Sequence, residues 1–245
     1  MSDTHRVGDP GSVEVEVRRK SFRNAAGEHK DVLVDIAFGL AAGEVAALVG
    51  PSGAGKTTLL KIIAGLDRDF EGHVISPARR LGFVFQEPRL LPWRSVEDNV
   101  RIVAPQATEP DLNALFDALG LGQHRRHFPG ELSLGLARRV AIARAFAIRP
   151  DLLLLDEPFV SLDEKLAKQL QEELVALVEN RRVTSIVVTH DVVEAVRLVE
   201  RIFVLDGHPA HIVADFLIAT PRAQRSPAFI SSLVERIRST RPAAS

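Results

Sequence analysis

The octapeptide Gly50-Pro51-Ser52-Gly53-Ala54-Gly55-Lys56-Thr57 carries the densest chemistry in the chain. It fits the pattern GxxxxGK[ST] in full. Glycines let a backbone curl until successive N–H groups face one anion, and a helix starting at its end adds a positive pole. That chemistry is phosphate binding. Lys56 would bridge the β- and γ-phosphates of a nucleotide, and Thr57 would offer its hydroxyl to Mg2+. Gly50, Pro51, Ser52, Gly53, Ala54, Gly55, Lys56, Thr57 and the following Thr58 are the expected phosphate contacts. A Gly-rich turn with no ligand is the bland alternative, and the full pattern between an apolar run and a helical one argues against it. The pattern says nucleotide, but not which nucleotide or which task.

Further along, the apolar run Leu152–Leu155 leads directly into Asp156-Glu157. A buried strand ending in two carboxylates sets them at the C-terminal edge of a sheet, where ligands bind in α/β folds. Asp156 is the expected Mg2+ ligand, direct or through water. Glu157 is the expected general base for an attacking water.

The elements that must position these groups follow from periodicity. Val13, Val15 and Val17 alternate with charged residues as in a half-exposed strand. Val32–Leu40 reads as its neighbour, with a turn at Asn24–Lys30. Glu44–Val49 is a buried strand, followed by a helix over about Lys56–Ala64 closed by Gly65. His73–Ser76 and Arg80–Phe85 read as strands. Residues 86–128 are loop-rich and helical, with helical spacing over Leu112–Leu119. A helix over Leu134–Ile148 takes Ser133 as its N-cap. Then come strand Leu152–Leu155, helix Glu164–Glu179, strand Thr184–Val188, a short helix near Asp191–Leu198 and strand Arg201–Leu205. Pro227–Arg238 reads as an amphipathic helix, and Ser2–Ser12 and Ser239–Ser245 as loose ends. Strands alternating with helices predict a largely parallel sheet covered on both faces.

Bulk composition narrows the function classes. Hydrophobic residues make up 46% and charged residues 26% of 245, which suits one soluble α/β domain. A net charge of −1 gives no electrostatic basis for nucleic acid as the main partner. Cys is absent, which removes disulfides, thiolate metal sites and a Cys nucleophile, and fits a reducing compartment. Met1–Ser12 is polar, so no secretion signal is expected, and no apolar run approaches the 18 or more residues of a membrane span.

These residues resemble the ABC ATPase family over most of the chain. Leu132-Ser133-Leu134-Gly135-Leu136 occupies the place of the family's LSGGQ signature, with Leu134 and Leu136 departing from it. Gln86 falls at the Q-loop, Ser161-Leu162-Asp163 resembles the D-loop, His190 the switch histidine, and Phe22 the aromatic that stacks on adenine. The resemblance implies an α/β P-loop NTPase core with a mostly parallel sheet, an antiparallel β subdomain and a helical subdomain. It places the core with its β subdomain at about residues 1–85 and 150–220, the helical subdomain at about 86–149, and a C-terminal helix and tail at about 221–245. It implies ATP and Mg2+ as cofactors, with Thr57, Gln86 and Asp156 at the metal and Glu157, His190, Gln86 and Lys56 in the catalytic set. It also implies a head-to-tail dimer with a second, identical ATPase subunit, in which Ser133, Gly135 and Asp163 reach the nucleotide of the facing copy. Several of these residues keep ordinary alternatives: Gln86 a surface amide, His190 a helix cap, Asp163 an N-cap, Phe22 core, and Arg138, Arg139 and Arg144 a solvated helix face.

The stretch Val84 to Val100, with Leu90-Leu91-Pro92-Trp93, resembles the bacterial nitrate, sulfonate and taurine importer branch. That implies an ATPase at the cytoplasmic face of the inner membrane, transmembrane permease subunits as partners, and an extracytoplasmic solute-binding protein beyond them. Trp93 is expected as a permease contact, with subdomain core as its alternative. Two other readings stay open: a soluble ABC-type ATPase without a transport role, and an importer for another small solute such as a vitamin precursor.

Overall fold

The computed structural model describes residues 11–23 and 27–240. The chain runs β1 (Val13–Arg23), β2 (His29–Leu40), β3 (Val45–Val49), α1 (Lys56–Ile63), β4 (Glu71–Ile75) and β5 (Leu81–Val84). It continues through α2 (Val96–Arg101), α3 (Glu109–Ala118), α4 (Leu134–Ala147), β6 (Leu152–Asp156) and α5 (Glu164–Arg181). It ends with β7 (Thr184–Thr189), α6 (Val192–Leu198), β8 (Arg201–Asp206), β9 (His211–Leu217) and α7 (Pro227–Ser239). The loose ends expected at Ser2–Ser12 and Ser239–Ser245 lie largely outside the described residues, as does part of the turn expected at Asn24–Lys30. Among the described residues no helix is long and apolar enough to cross a membrane.

Two compact units divide the chain: Met1–Pro77 with Thr184–Ser245, and Ala78–Val183. In the first, β1 pairs antiparallel with β2 and β4 in a three-stranded sheet. Its inward face is Val13, Val15 and Val17, which alternate with more exposed neighbours as the sequence pattern requires. A second sheet of this unit has β3 at its centre, parallel to both β7 and β8. Every residue of β3 and β7 is buried, which explains their unbroken apolar and small-polar sequences. The strand β9 was not expected from the sequence. It pairs antiparallel with β8 as an edge. Its sequence HIVADFL is mostly half-exposed, so neither a continuous apolar run nor a clean alternation marks it.

In the second unit β5 and β6 pair in parallel, from Leu81 against Leu152 to Val84 against Leu155. Each of the four leucines of β6 is fully buried, worth about 1.5–3 kcal/mol apiece, so the strand leading to Asp156 is firmly seated. The helices α2, α3 and α4 fall in this unit. Helix α4 buries residues around most of its circumference, including Arg138 and Arg139. This removes the alternative of a solvated helix face for Arg138 and Arg139.

Candidate functional site

In the first unit, β3 delivers the chain to Gly50. A Cβ there would sit 2.7 Å from the Leu205 carbonyl oxygen, so only glycine fits. Gly53 and Gly55 follow at φ +82° and +78°, in the left-handed region where glycine has no steric penalty. Gly55 is the N-cap of α1 and supplies no capping side chain, and the first turn carries no acidic residue. The first N–H groups of α1 thus keep their positive pole, with no carboxylate to cancel it. Lys56 is 5% exposed. Its Nζ donates to the carbonyls of Gly50 (3.0 Å) and Pro51 (2.8 Å), so the ammonium lies against the loop itself. Ser52 and Gly53 are exposed, Ala54 is buried, and Thr57 and Thr58 are half-buried at the start of α1.

Phe22, near the end of β1, is 45% exposed, so it is not core. Lys20 Nζ lies 4.6 Å from its ring centroid. That ammonium is itself fixed by Asp67 Oδ1 at 2.9 Å and the Asp69 carbonyl at 2.6 Å. His190 is exposed just past β7. It is not the cap of α6: Asp191 is, its Oδ1 accepting from the N–H of Val193 (2.8 Å) and of Glu194 (3.3 Å).

In the second unit, Asp156 ends β6 and is 3% exposed. Glu157 follows at φ 45°, a left-handed conformation that a residue with a Cβ adopts at a cost of order 1–3 kcal/mol. Ser161 has φ 63°. What holds this turn is Arg138. Its Nη1 donates to the carbonyls of Glu157 (3.3 Å) and Pro158 (2.9 Å), and its Nη2 to Val160 (2.6 Å). Arg138 is 5% exposed, and burial lowers its pKa. Sequence reasoning missed this role because a charge run does not reveal burial.

Gln86 is exposed two positions beyond β5. The segment after it is pinned by Arg144, which donates to the carbonyls of Arg89 and Pro88 at 2.9 Å each. Asn99, also missed, is wholly buried. Its Nδ2 reaches the carbonyls of Leu91, Arg94 and Ser95, and its Oδ1 accepts from the Leu91 N–H. The knot presents Trp93 at 69% exposure, which removes the core reading of that residue.

Ser133 is the N-cap of α4, its Oγ accepting from the Leu136 N–H at 3.3 Å. Leu134 is 43% exposed, and no acidic residue occupies this first turn either. Gly135 is buried, and a Cβ on it would lie 2.4 Å from Leu166 Cδ2. Asp163 caps α5, its Oδ1 accepting from the Leu166 N–H at 3.0 Å. The second unit therefore brings Ser133, Gly135 and Asp163 together through Leu166. Among the described residues no group of three His, Cys, Asp or Glu side chains forms a metal cluster. A Mg2+ held by one carboxylate, a hydroxyl and substrate phosphates needs no such cluster; the first unit offers the Thr57 hydroxyl and the second the Asp156 carboxylate, each for a donor set of that kind.

A family model described as ABC transporter matches residues 33–160. The aliphatic sulfonates import ATP-binding protein SsuB 2 of Burkholderia cenocepacia is 42% identical over 229 residues, covering 89% of this chain and 83% of that protein. Its namesake from Burkholderia lata is 45% identical over 226 residues, covering 88% and 81%. SsuB of Bacillus cereus is 40% identical over 210 residues, covering 81% and 84%. Among solved structures, the dimeric ABC transporter cassette MJ0796 matches with a TM-score of 0.75 at 28% identity, covering 85% of this chain and all of that one. A post-hydrolysis dimer of the same cassette bound to ADP and Pi gives a TM-score of 0.74. With these matches added to the phosphate loop and the acidic strand end, the chain belongs to the ABC transporter family, as one of its ATP-binding, ATP-hydrolysing subunits.

Proposed function

We propose that this subunit powers the import of small organic anions, with aliphatic sulfonates as the solute class. The observation that carries the reading is the Gly50–Thr57 loop at the uncapped start of α1, in a chain 40–45% identical to sulfonate-import ATP-binding proteins. Phe22 stacks on the adenine through its exposed ring. The loop N–H groups from Gly50 to Thr58 and the Lys56 ammonium take the phosphates. Thr57, Asp156 and Gln86 hold Mg2+, which supplies charge neutralisation at the β- and γ-phosphates. Glu157 accepts the proton of the attacking water, and His190 steadies the γ-phosphate side.

The start of α4 has a positive pole and exposed residues at Ser133 and Leu134, features that suit an anion. The reading gives it one in a second, identical copy arranged head to tail. The partner subunit's Ser133 and Gly135 then close on the γ-phosphate, with the partner subunit's Asp163 beside them. Excluding water aligns the reactants, and loss of the γ-phosphate removes what joins the copies. Trp93 on its Asn99 knot meets a transmembrane permease at the cytoplasmic face of the membrane, and a solute-binding protein delivers solute from the other side.

The solute class is tested by deleting the gene in the organism that carries it. Growth with an alkanesulfonate as sole sulfur source is expected to stop, while growth on sulfate continues. Unchanged growth on alkanesulfonates would overturn the solute assignment and leave the ATPase chemistry untouched.

Arg138 gives a separate test. It touches no substrate but holds the carbonyls around Glu157, so it is a positioning residue. Arg138→Ala is expected to lower kcat by about 10–100-fold, the scale of loss that a misplacement of up to about 1 Å produces, with KM for ATP near the wild-type value. Arg138→Lys, which keeps a buried donor, should recover part of kcat. A loss in KM alone would assign Arg138 to nucleotide binding instead.

A further inference from the structure

A cleft of about 770 Å3 opens within the second unit, and no residue assigned above to ATP lines it. Its size falls in the range of small-molecule sites. The floor is carbon: Phe146, Leu112 and Leu115 are each no more than 2% exposed as residues. The rim is cationic, with Arg79, Arg80, Arg149 and Arg181, and Asp111 is the only acidic residue in the lining.

Two of these cations are satisfied. Arg149 pairs with Asp111 at 2.6 Å, and Arg80 with Asp151 at 2.9 Å. The other two form no side-chain ion pair with a carboxylate among the described residues, although the Asp111 charge acts on Arg181 from nearby. Arg181 donates to the Phe146 carbonyl at 2.9 Å and lies over the Phe146 ring. Burial first, and then the neighbouring Arg149 charge, hold the Arg181 pKa below its ordinary value. Arg79 engages Asp151 only through its backbone N–H, which leaves its exposed guanidinium uncommitted. Arg149 itself is held at φ 52°, in the left-handed region, a conformation that needs support from its surroundings. Four guanidinium groups face this cleft against one carboxylate, so its potential is positive and favours an entering anion.

We infer that this cleft is a binding site for a small organic anion with a sulfonate or carboxylate headgroup on a short aliphatic or aromatic body. The headgroup sits between Arg79 and Arg181, and the body lies against Val103, Pro105 and Ile148, the exposed or half-exposed apolar residues of the lining, which rest on the buried Phe146, Leu112 and Leu115. Guanidinium groups match the oxygens of such headgroups geometrically, and the exposed apolar lining around Val103 rewards a hydrocarbon body that sulfate lacks. The site stands independently of the transported solute.

The test is isothermal titration of the full chain with sodium hexanesulfonate, with ADP and Mg2+ present to fill the phosphate loop. Saturable one-to-one binding is expected. Sodium sulfate, lacking the body, and 1-hexanol, lacking the charge, should each bind at least about tenfold more weakly, or ~1.4 kcal/mol. Arg79→Glu, at an exposed side chain, should weaken hexanesulfonate at least tenfold as well (~1.4 kcal/mol) and leave ADP affinity unchanged. If Arg79→Glu fails to fold, Arg181→Lys carries the same expectation. No binding up to about 10 mM probe, an affinity unchanged in these variants, or displacement of hexanesulfonate by ADP would each overturn the assignment.

Discussion

Glu157→Gln is expected to lower ATP turnover by about 10²–10⁴-fold, the usual contribution of a positioned general base, while ATP binding persists. Glutamine keeps the size of the side chain and can occupy the same left-handed turn, held at the carbonyls of Glu157, Pro158 and Val160 by Arg138. What it lacks is the carboxylate that accepts a proton from water. The phosphate loop and the Asp156 strand end are left as they were, so nucleotide still enters. With the chemical step blocked, the γ-phosphate persists and the two copies stay joined around it. Gel filtration in ATP and Mg2+ should show this variant as a dimer, whereas the wild-type chain turns over and separates. A variant that remains monomeric under those conditions would remove the support for the shared-site mechanism. Turnover near the wild-type rate would remove Glu157 from the role of base.

How much of this was legible beforehand depended on whether a signal was local. The phosphate loop was legible because each of its requirements falls within eight residues: glycine at Gly53 and Gly55 for positive φ, and at Gly50 for close approach to Leu205. The strand leading to Asp156 was legible because four buried leucines in succession leave few alternatives. The signature region was legible as sequence, but the reason for Gly135 was not, since it rests on Leu166 some thirty residues away in the chain. The contacts of Arg138, Arg139 and Arg144 were not legible because charge predicts exposure on average. Here their guanidinium groups reach backbone carbonyls of Val160, Leu119 and Arg89 that no sequence pattern identifies. Asn99 was missed for the same reason: one amide closes a loop through four hydrogen bonds to residues whose only sequence mark is their position. The edge strand β9 was missed because half-exposure on both faces erases periodicity.

Lys56→Ala should weaken ATP binding by about 100-fold or more, which is roughly 2.7 kcal/mol. A charge-assisted hydrogen bond is worth about 1.5–3 kcal/mol, and Lys56 stands to make such bonds to phosphate from a site only 5% exposed to water, where charges are poorly screened. A second effect adds to the first. The Nζ donates to the carbonyls of Gly50 and Pro51, so its removal leaves two oxygens to find other partners and loosens the curl that aims the loop N–H groups. The fold should survive, because α1 is anchored by Leu59, Leu60, Ile62 and Ile63, all buried. Titration with a fluorescent ATP analogue measures the affinity, and a thermal melt without nucleotide separates a binding defect from unfolding. A well-folded Lys56→Ala chain that binds ATP as tightly as the parent would mean that the triphosphate is held elsewhere, and the roles given to Thr57 and Asp156 would fall with it.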